Sequence, residues 1–500
     1  MQSAHLAIDL GASSGRAMLG LLDGDPLRLE LEEVHRFEHH ACSVPTGIVW
    51  NLTGIWRQIL HGLSVGAARC KERGLELTSI GVDCWGVDFV LVGAGGDVLG
   101  LPHCYRDARN EPASDRVVER LGGNEALYAR TGIQRMPFNT VFQLEAIRAA
   151  EPAQLDAARR LLFLPDLFHY WLSGEQATER TIASTGSLLD IQSGEWDLGL
   201  MELLGLPKEI LGPIVDPGAQ VGLLRDTLAD ETGAPRGLKV IAPASHDTAS
   251  AIAAAPVTDN SVPWAYLSSG TWSLLGAELP TPYYSEAACH APFTNERGVD
   301  STIRFLKNIA GLWLIQELRR EYADAGSAHS FAELVDQAEG VEPFRTLVDP
   351  NHASLAAPGA MTPRVAELAA AAGQPIPETP GQFVRCCLES LALCYAQTAG
   401  RLAQFTGRPA ERLHVVGGGT QNKLLNGLTA GAMNCEVLTG PTEATAIGNA
   451  LVQAMGCGVI ANLTELRQVV ARSTPVDRAE PVGAADQWQA ARERFETLSP

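Results

Sequence analysis

Two short runs of glycine and serine, each set between apolar strand-like segments, constrain this 500-residue chain more than any other feature. The first is Gly11-Ala12-Ser13-Ser14-Gly15-Arg16, entered from Ile8-Asp9-Leu10 and left through Ala17-Met18-Leu19-Gly20. The second is Ser268-Ser269-Gly270-Thr271, entered from Tyr266-Leu267 and left through Trp272-Ser273-Leu274-Leu275-Gly276. Small residues in a tight turn aim backbone N–H groups and hydroxyls at one point with no side chain in the way. That is a nest for phosphate oxygens. Two such hairpins predict two similar domains that hold one nucleotide. Asp9 ends the first strand, where a carboxylate can hold Mg²⁺ through water.

Composition sets the outer limits. Five hundred residues exceed one hydrophobic core, so at least two domains are expected, split at residues 1–241 and 242–500. A net charge of −20 argues against a nucleic-acid or anionic-membrane surface, but not against a nucleotide that arrives with its own cation. No stretch is long and apolar enough to span a bilayer, and Asp9 interrupts the apolar start. A cytoplasmic monomer or homodimer is the expectation. The 10 cysteines contain no C-x-x-C spacing, and Cys386, Cys387 and Cys394 fall in a helical pattern that reads as packing.

The chain opens as an antiparallel meander: strands His5 to Leu10, Arg16 to Leu22 and Leu27 to Phe37. A helix is expected from Gly54 to Arg73, then an apolar strand Ser79 to Asp83 that leads into Cys84-Trp85-Gly86-Val87-Asp88. Residues from Tyr105 to Leu211 read as mostly helical. Leu238 to Pro243 is a further strand, and Asp247 opens a small-residue helix, Thr248 to Ala255. A long helix, Gly381 to Phe405, precedes a strand, Leu413 to Val416, which enters Gly417-Gly418-Gly419. This is an α/β chain with a sheet of mixed direction.

Several motifs carry chemistry. Asp247, between a strand end and a helix start, is the candidate general base; the bland alternative is a helix cap. His246 before it suits a sugar hydroxyl or a structural role. Trp85 suits a sugar face, Gly86 lets a ligand approach bare backbone, and Asp88 suits hydroxyls. Gly417, Gly418 and Gly419 suit a ribose or base lying against backbone. His35, His39 and His40 read as surface or rim. Gly11-Ala12-Ser13-Ser14-Gly15 also matches the G-x-S-x-G nucleophile elbow, but a strand rather than a helix follows it. Neither a Walker A loop nor G-x-G-x-x-G is present.

Taken together, these residues resemble the FGGY carbohydrate kinases of the actin-like ATPase superfamily. Further matches are Val34-His35-Arg36-Phe37, Tyr105-Arg106-Asp107, Ala244 to Ser250, Asn308 to Gln316 and Val415 to Asn422. Cys84 departs from the expected Ser or Thr, and Thr420 from a common Cys. The resemblance implies two ribonuclease-H-like domains with a central cleft. It implies ATP-dependent phosphorylation of a ketose, L-rhamnulose, at its primary 1-hydroxyl, with Mg²⁺. Fuculose, xylulose, ribulose and glycerol are alternative acceptors, and a non-sugar actin-like ATPase is a remoter one. By motif, Ala12, Ser13, Ser14, Gly15, Arg16, Thr271, Gln316 and Gly418 fall to ATP. Gly86, His246, Asp247, Thr248 and Asn308 fall to the sugar, with Asp247 as base.

Overall fold

A computed structural model describes residues 2–498, which form two compact units. The first runs to Thr258 and takes in Glu278–Phe305 and Ala444–Ser473; the second holds Asp259–Ala277, Leu306–Glu443 and the chain from Thr474. Asp247 therefore belongs to the first unit.

The first unit is built on a six-stranded sheet. Its order is Gln220–Leu223, Lys239–Ile241, Leu77–Cys84, Ser3–Leu10, Ser14–Asp23, Arg28–Glu38. The expected meander is present; its first two strands, Ser3–Leu10 and Ser14–Asp23, run past the expected ends, and the third, Arg28–Glu38, keeps the expected length but is shifted by one residue. Ser3–Leu10 is buried along its whole length and pairs in parallel with Leu77–Cys84. Side chains alternate across it. Leu6, Ile8 and Leu10 meet Ile55, Ile59 and Leu63 of the helix Leu52–Glu72, each worth roughly 1.5–3 kcal/mol when fully buried. Asn51 caps that helix by accepting from the Gly54 N–H at 3.0 Å. The other face is different: Ala7 packs on Ala446 and Ala450 of the helix Ala444–Gly456, while His5 and Asp9 are polar.

The strand does not continue through the expected Cys84-Trp85-Gly86-Val87-Asp88 segment. The strand ends at Cys84, Val87 takes a left-handed φ of 69°, and Phe89–Gly93 joins a separate three-stranded sheet with Val98–Leu99 and Ala158–Phe163. For a β-branched residue that conformation is costly. Three hydrogen bonds hold it. The Val87 N–H donates to Thr185 Oγ1 (3.0 Å), and its carbonyl accepts from Thr140 Oγ1 (2.7 Å) and Gln143 Nε2 (3.3 Å).

The second unit repeats the plan. The strands Trp272–Leu279, Trp264–Ser269, Arg412–Val416, Glu436–Thr439 and Asp477–Arg478 lie in that order. Trp264–Ser269 forms a hairpin with Trp272–Leu279 and pairs in parallel with Arg412–Val416, as Ser3–Leu10 does with its neighbours. The helix Pro380–Thr406 buries Cys386, Cys387 and Cys394. Among the described residues, no helix is long and apolar enough to cross a membrane.

Candidate active site

Three segments of the first unit meet at the carboxyl ends of its central strands. Asp9 is in register with Asp83 on the parallel neighbour and with Arg16 on the antiparallel one. Arg16 donates to the Asp9 carboxylate. The Trp85 N–H donates to Leu10 O (3.2 Å), and the Cys84 N–H to Ser245 O (2.9 Å), which draws the Ser245–Asp247 segment to the same edge. From below, Glu179 accepts from Ser245 N–H (3.0 Å), and Thr181 Oγ1 accepts from His246 N–H (3.2 Å). Burial pushes the Glu179 carboxyl up to about 7, against hydrogen bonds that favour its charged form.

Asp247 is the first residue of the helix Asp247–Ala253, and His246 occupies the cap position without a side-chain capping bond. The cap alternative for Asp247 therefore does not describe it. Its Oδ1 accepts from the Thr248 N–H (2.5 Å) and hydroxyl (3.1 Å), which holds the half-buried carboxyl in place. Burial raises the Asp247 carboxyl above its ordinary range; His246 opposes the shift and Asp9 adds to it. Asp83, fully buried, is raised further by burial and by Asp9, while a bond from Asn449 opposes this.

The first glycine-serine turn closes with the Gly11 N–H on Ser14 O (2.9 Å). The His39 N–H takes the carbonyl of Ser13 (3.1 Å). Two of the turn's carbonyls are thus used within the protein, which suits a turn meant for anions. His39 is not at the surface as its sequence context suggests. It is buried, stacked on Trp85 at 5.3 Å and edge-on to Trp50 at 5.8 Å. Asp88 is also not free for hydroxyls. Its carboxylate accepts from the indoles of Trp50 (2.7 Å) and Trp85 (2.9 Å), from Gln143 (3.1 Å) and from the Tyr105 N–H (3.3 Å). Trp85 itself is buried and shapes a wall rather than an open platform. Gly86 lies between these groups and packs on Thr185.

In the second unit, the turn of Ser268–Thr271 has its Gly270 and Thr271 carbonyls taken by the Leu312 (3.0 Å) and Trp313 (3.1 Å) N–H groups. Gln316, one turn along the helix Trp313–Asp324, donates to Thr271 Oγ1 (3.3 Å). Gly417, Gly418 and Gly419 lie on the same turn. Gly417 has φ +86°, and a Cβ on Gly419 would fall 1.9 Å from the Ser269 hydroxyl. A Cβ on Gly418 would meet nothing within 4 Å, so its backbone is bare. The run ends in a 3-10 turn, Gly418–Gln421, before the helix Lys423–Met433, so the glycines are one step removed from that helix's N-terminus. Asn308 lies half-buried on Ile303–Ala310 in this unit.

Sequence reading assigned no role to Asp83, Glu179, Glu296, Arg304, Asn449 or Gln453. The one local signal is a charge inside an apolar run, as in Ile80-Gly81-Val82-Asp83 and Ile303-Arg304-Phe305. Among the described residues, no three His, Cys, Asp or Glu side chains are grouped to hold a metal ion directly. A hydrated Mg²⁺ bound mainly by phosphate oxygens does not require such a group. Asp9, with the buried and unpartnered Asp83 Oδ1 beside it in register, fits that kind of ion.

Two units, each with a glycine-serine turn at the end of its central hairpin, define a two-domain α/β fold. Residues 4–253 match the N-terminal domain, and residues 265–457 the C-terminal domain, of the FGGY family of carbohydrate kinases. The chain belongs to that family. It is 42% identical over 496 residues to the rhamnulokinase of Bacteroides thetaiotaomicron, covering 99% of each chain. It is 40% identical over 501 residues to that of Pectobacterium carotovorum, covering 99% of this chain and 96% of the other. Its fold matches the crystal structure of a xylulose kinase from Rhodospirillum rubrum with a TM-score of 0.81 at 20% identity, covering 100% of this chain and 98% of that one.

Proposed function

We propose that this carbohydrate kinase transfers the γ-phosphoryl group of ATP to the 1-hydroxyl of L-rhamnulose. The observation that carries the reading is the setting of Asp247: a carboxyl raised by burial, held by Thr248, at the strand ends where Asp9 and the first glycine-serine turn also lie. Relatives 42% and 40% identical over nearly the whole chain are named for rhamnulose, which supports the choice of sugar.

In this reading Asp247 takes the proton of the primary hydroxyl as its oxygen attacks phosphorus. A carboxyl shifted upward lies closer to the working pH and is the better base. The transition state of phosphoryl transfer is loose, so orientation and charge supply most of the catalysis. Gly86, His246, Thr248 and Asn308 orient the sugar. Ala12, Ser13, Ser14, Gly15 and Arg16 receive phosphate oxygens in the first unit. Thr271 and Gln316 do the same in the second, with Gly417, Gly418 and Gly419 beneath the adenosine. Mg²⁺, held through water by Asp9, would offset phosphate charge. The 10 unpaired cysteines fit a reducing cytoplasm.

A coupled ADP-release assay across L-rhamnulose, fuculose, xylulose, ribulose and glycerol tests the proposal. The highest kcat/KM is expected with L-rhamnulose, and phosphorus NMR should show a 1-phosphate. ADP release at equal rate without any sugar, or tenfold better use of another acceptor, overturns it.

A further inference from the structure

The two nitrogens of the His246 imidazole, in the first unit, have different settings. Arg304 Nη2 lies 3.0 Å from Nδ1 in hydrogen-bonding geometry. A guanidinium can only donate, so Nδ1 accepts and carries a lone pair. The ring hydrogen is then on Nε2. Arg304 is completely buried, and its Nε donates to Arg297 O (3.1 Å), which fixes the plane of the guanidinium. Glu296 Oε2 is 3.2 Å from Nδ1 but makes no hydrogen bond with the ring; it stands 3.0 Å from Arg304 Nη2 as the counter-charge. Nε2, by contrast, makes no hydrogen bond among the described residues. It lies 3.4 Å from Asp247 Oδ1, longer than a well-formed N–H···O bond.

We propose that Arg304 is a positioning residue that holds His246 as the Nε2–H tautomer, so that His246 donates a hydrogen bond to the sugar and leaves the reacting proton to Asp247. This rests on the kinase reading above. With Nδ1 engaged by Arg304 and Nε2 carrying the hydrogen, the imidazole has no free lone pair and takes no part as a base. Its hydrogen needs an acceptor, because a buried donor left unmet is costly. The 3.4 Å between Nε2 and Asp247 Oδ1 is a spacing that two oxygens on adjacent carbons can bridge. The primary hydroxyl then meets Asp247, and the oxygen on C2, carbonyl or hydroxyl, accepts from Nε2–H. The pair is held as one unit, because the His246 backbone N–H donates to Thr181 Oγ1 (3.2 Å) and Asp247 accepts from Thr248. An alcohol with no oxygen beside its primary hydroxyl leaves this donor unmet and is disfavoured.

Long-range ¹H–¹⁵N NMR of the full-length protein labelled at histidine reads the tautomer directly, with His246→Asn to assign the signal. An Nε2–H ring is expected; an Nδ1–H ring, or one protonated at both nitrogens, overturns the proposal. Arg304→Met leaves Nδ1 without its donor. It should populate the Nδ1–H tautomer and raise the KM for L-rhamnulose roughly tenfold, while the KM for ATP stays within about twofold. A folded Arg304→Met protein with either the wild-type tautomer or an unchanged sugar KM also overturns it. Should Arg304→Met not fold, the wild-type spectrum decides, together with the Nε2 resonance, which L-rhamnulose added without ATP should shift. In an enzyme that phosphorylates the ketose, an unmoved resonance overturns the donor role. A wild-type protein that phosphorylates no ketose instead defeats the kinase reading, and the tautomer is read independently of that result.

Discussion

Asn449 Nδ2 lies 2.5 Å from Asp83 Oδ2, although 366 residues separate the two in sequence. The helix Ala444–Gly456 makes this possible by laying Asn449 and Gln453, one turn apart, over the polar face of the central strands. Gln453 donates to Asn449 Oδ1 (2.6 Å) and accepts from Ser79 (2.7 Å), and Ser79 is 2.8 Å from His5 Nδ1. A buried line of hydrogen bonds thus runs from His5 to the carboxyl beside Asp9.

Asn449→Leu should cost about 2 kcal/mol of stability, the usual worth of a hydrogen bond to a charged group. The deficit should grow as pH rises. Asn449 holds the Asp83 carboxyl lower than burial alone would leave it, so its loss matters most when Asp83 is ionised. Urea unfolding at several pH values checks this; a deficit that shrinks toward alkaline pH would contradict it.

Asp88 predicts a slope of opposite origin. Burial raises its carboxyl to about 6 against four hydrogen-bond donors. With its unfolded value at 3.8, the unfolded chain has lost this proton between about pH 4 and pH 6 while the folded one keeps it. Asp88 therefore favours folding most at the acid end, and that contribution falls by roughly 3 kcal/mol across the window. Asp88→Asn should remove this slope from the stability–pH curve. A variant curve parallel to the wild type from pH 4 to 6 would show that Asp88 is not the source.

In the second unit, Gly419→Ala places a methyl group where the Ser269 hydroxyl lies. The turn at Ser269–Thr271 must shift, and the affinity for ADP should fall at least about tenfold, or 1.4 kcal/mol. Calorimetric titration reads this directly. Wild-type affinity in a folded variant would remove the glycine run from the nucleotide site.

Much of this was legible in the chain itself. The meander, the two hairpin turns and the position of Asp247 follow from local alternation of apolar residues and from small-residue turns, which depend on neighbours in sequence. The broken strand at Val87 was not legible, because its left-handed φ is imposed by Thr185, Thr140 and Gln143 from elsewhere. His39 and Asp88 were misread for the same reason. A polar residue looks exposed until Trp50 and Trp85, brought in by tertiary packing, cover it. Glu296 and Arg304, whose side chains face His246, come from two strands, Thr294–Arg297 and Ile303–Ala310, 50 or more residues downstream, as the separation of 58 between Arg304 and His246 shows, and no local period marks them.

The central claim is that Asp247 is the base. Asp247→Asn keeps the size and the Thr248 contacts but removes the proton acceptor, so kcat should fall by roughly 10²–10⁴ while calorimetry still finds ATP bound with unchanged affinity. A purified, folded Asp247→Asn enzyme that turns over sugar at near the wild-type rate would contradict the account.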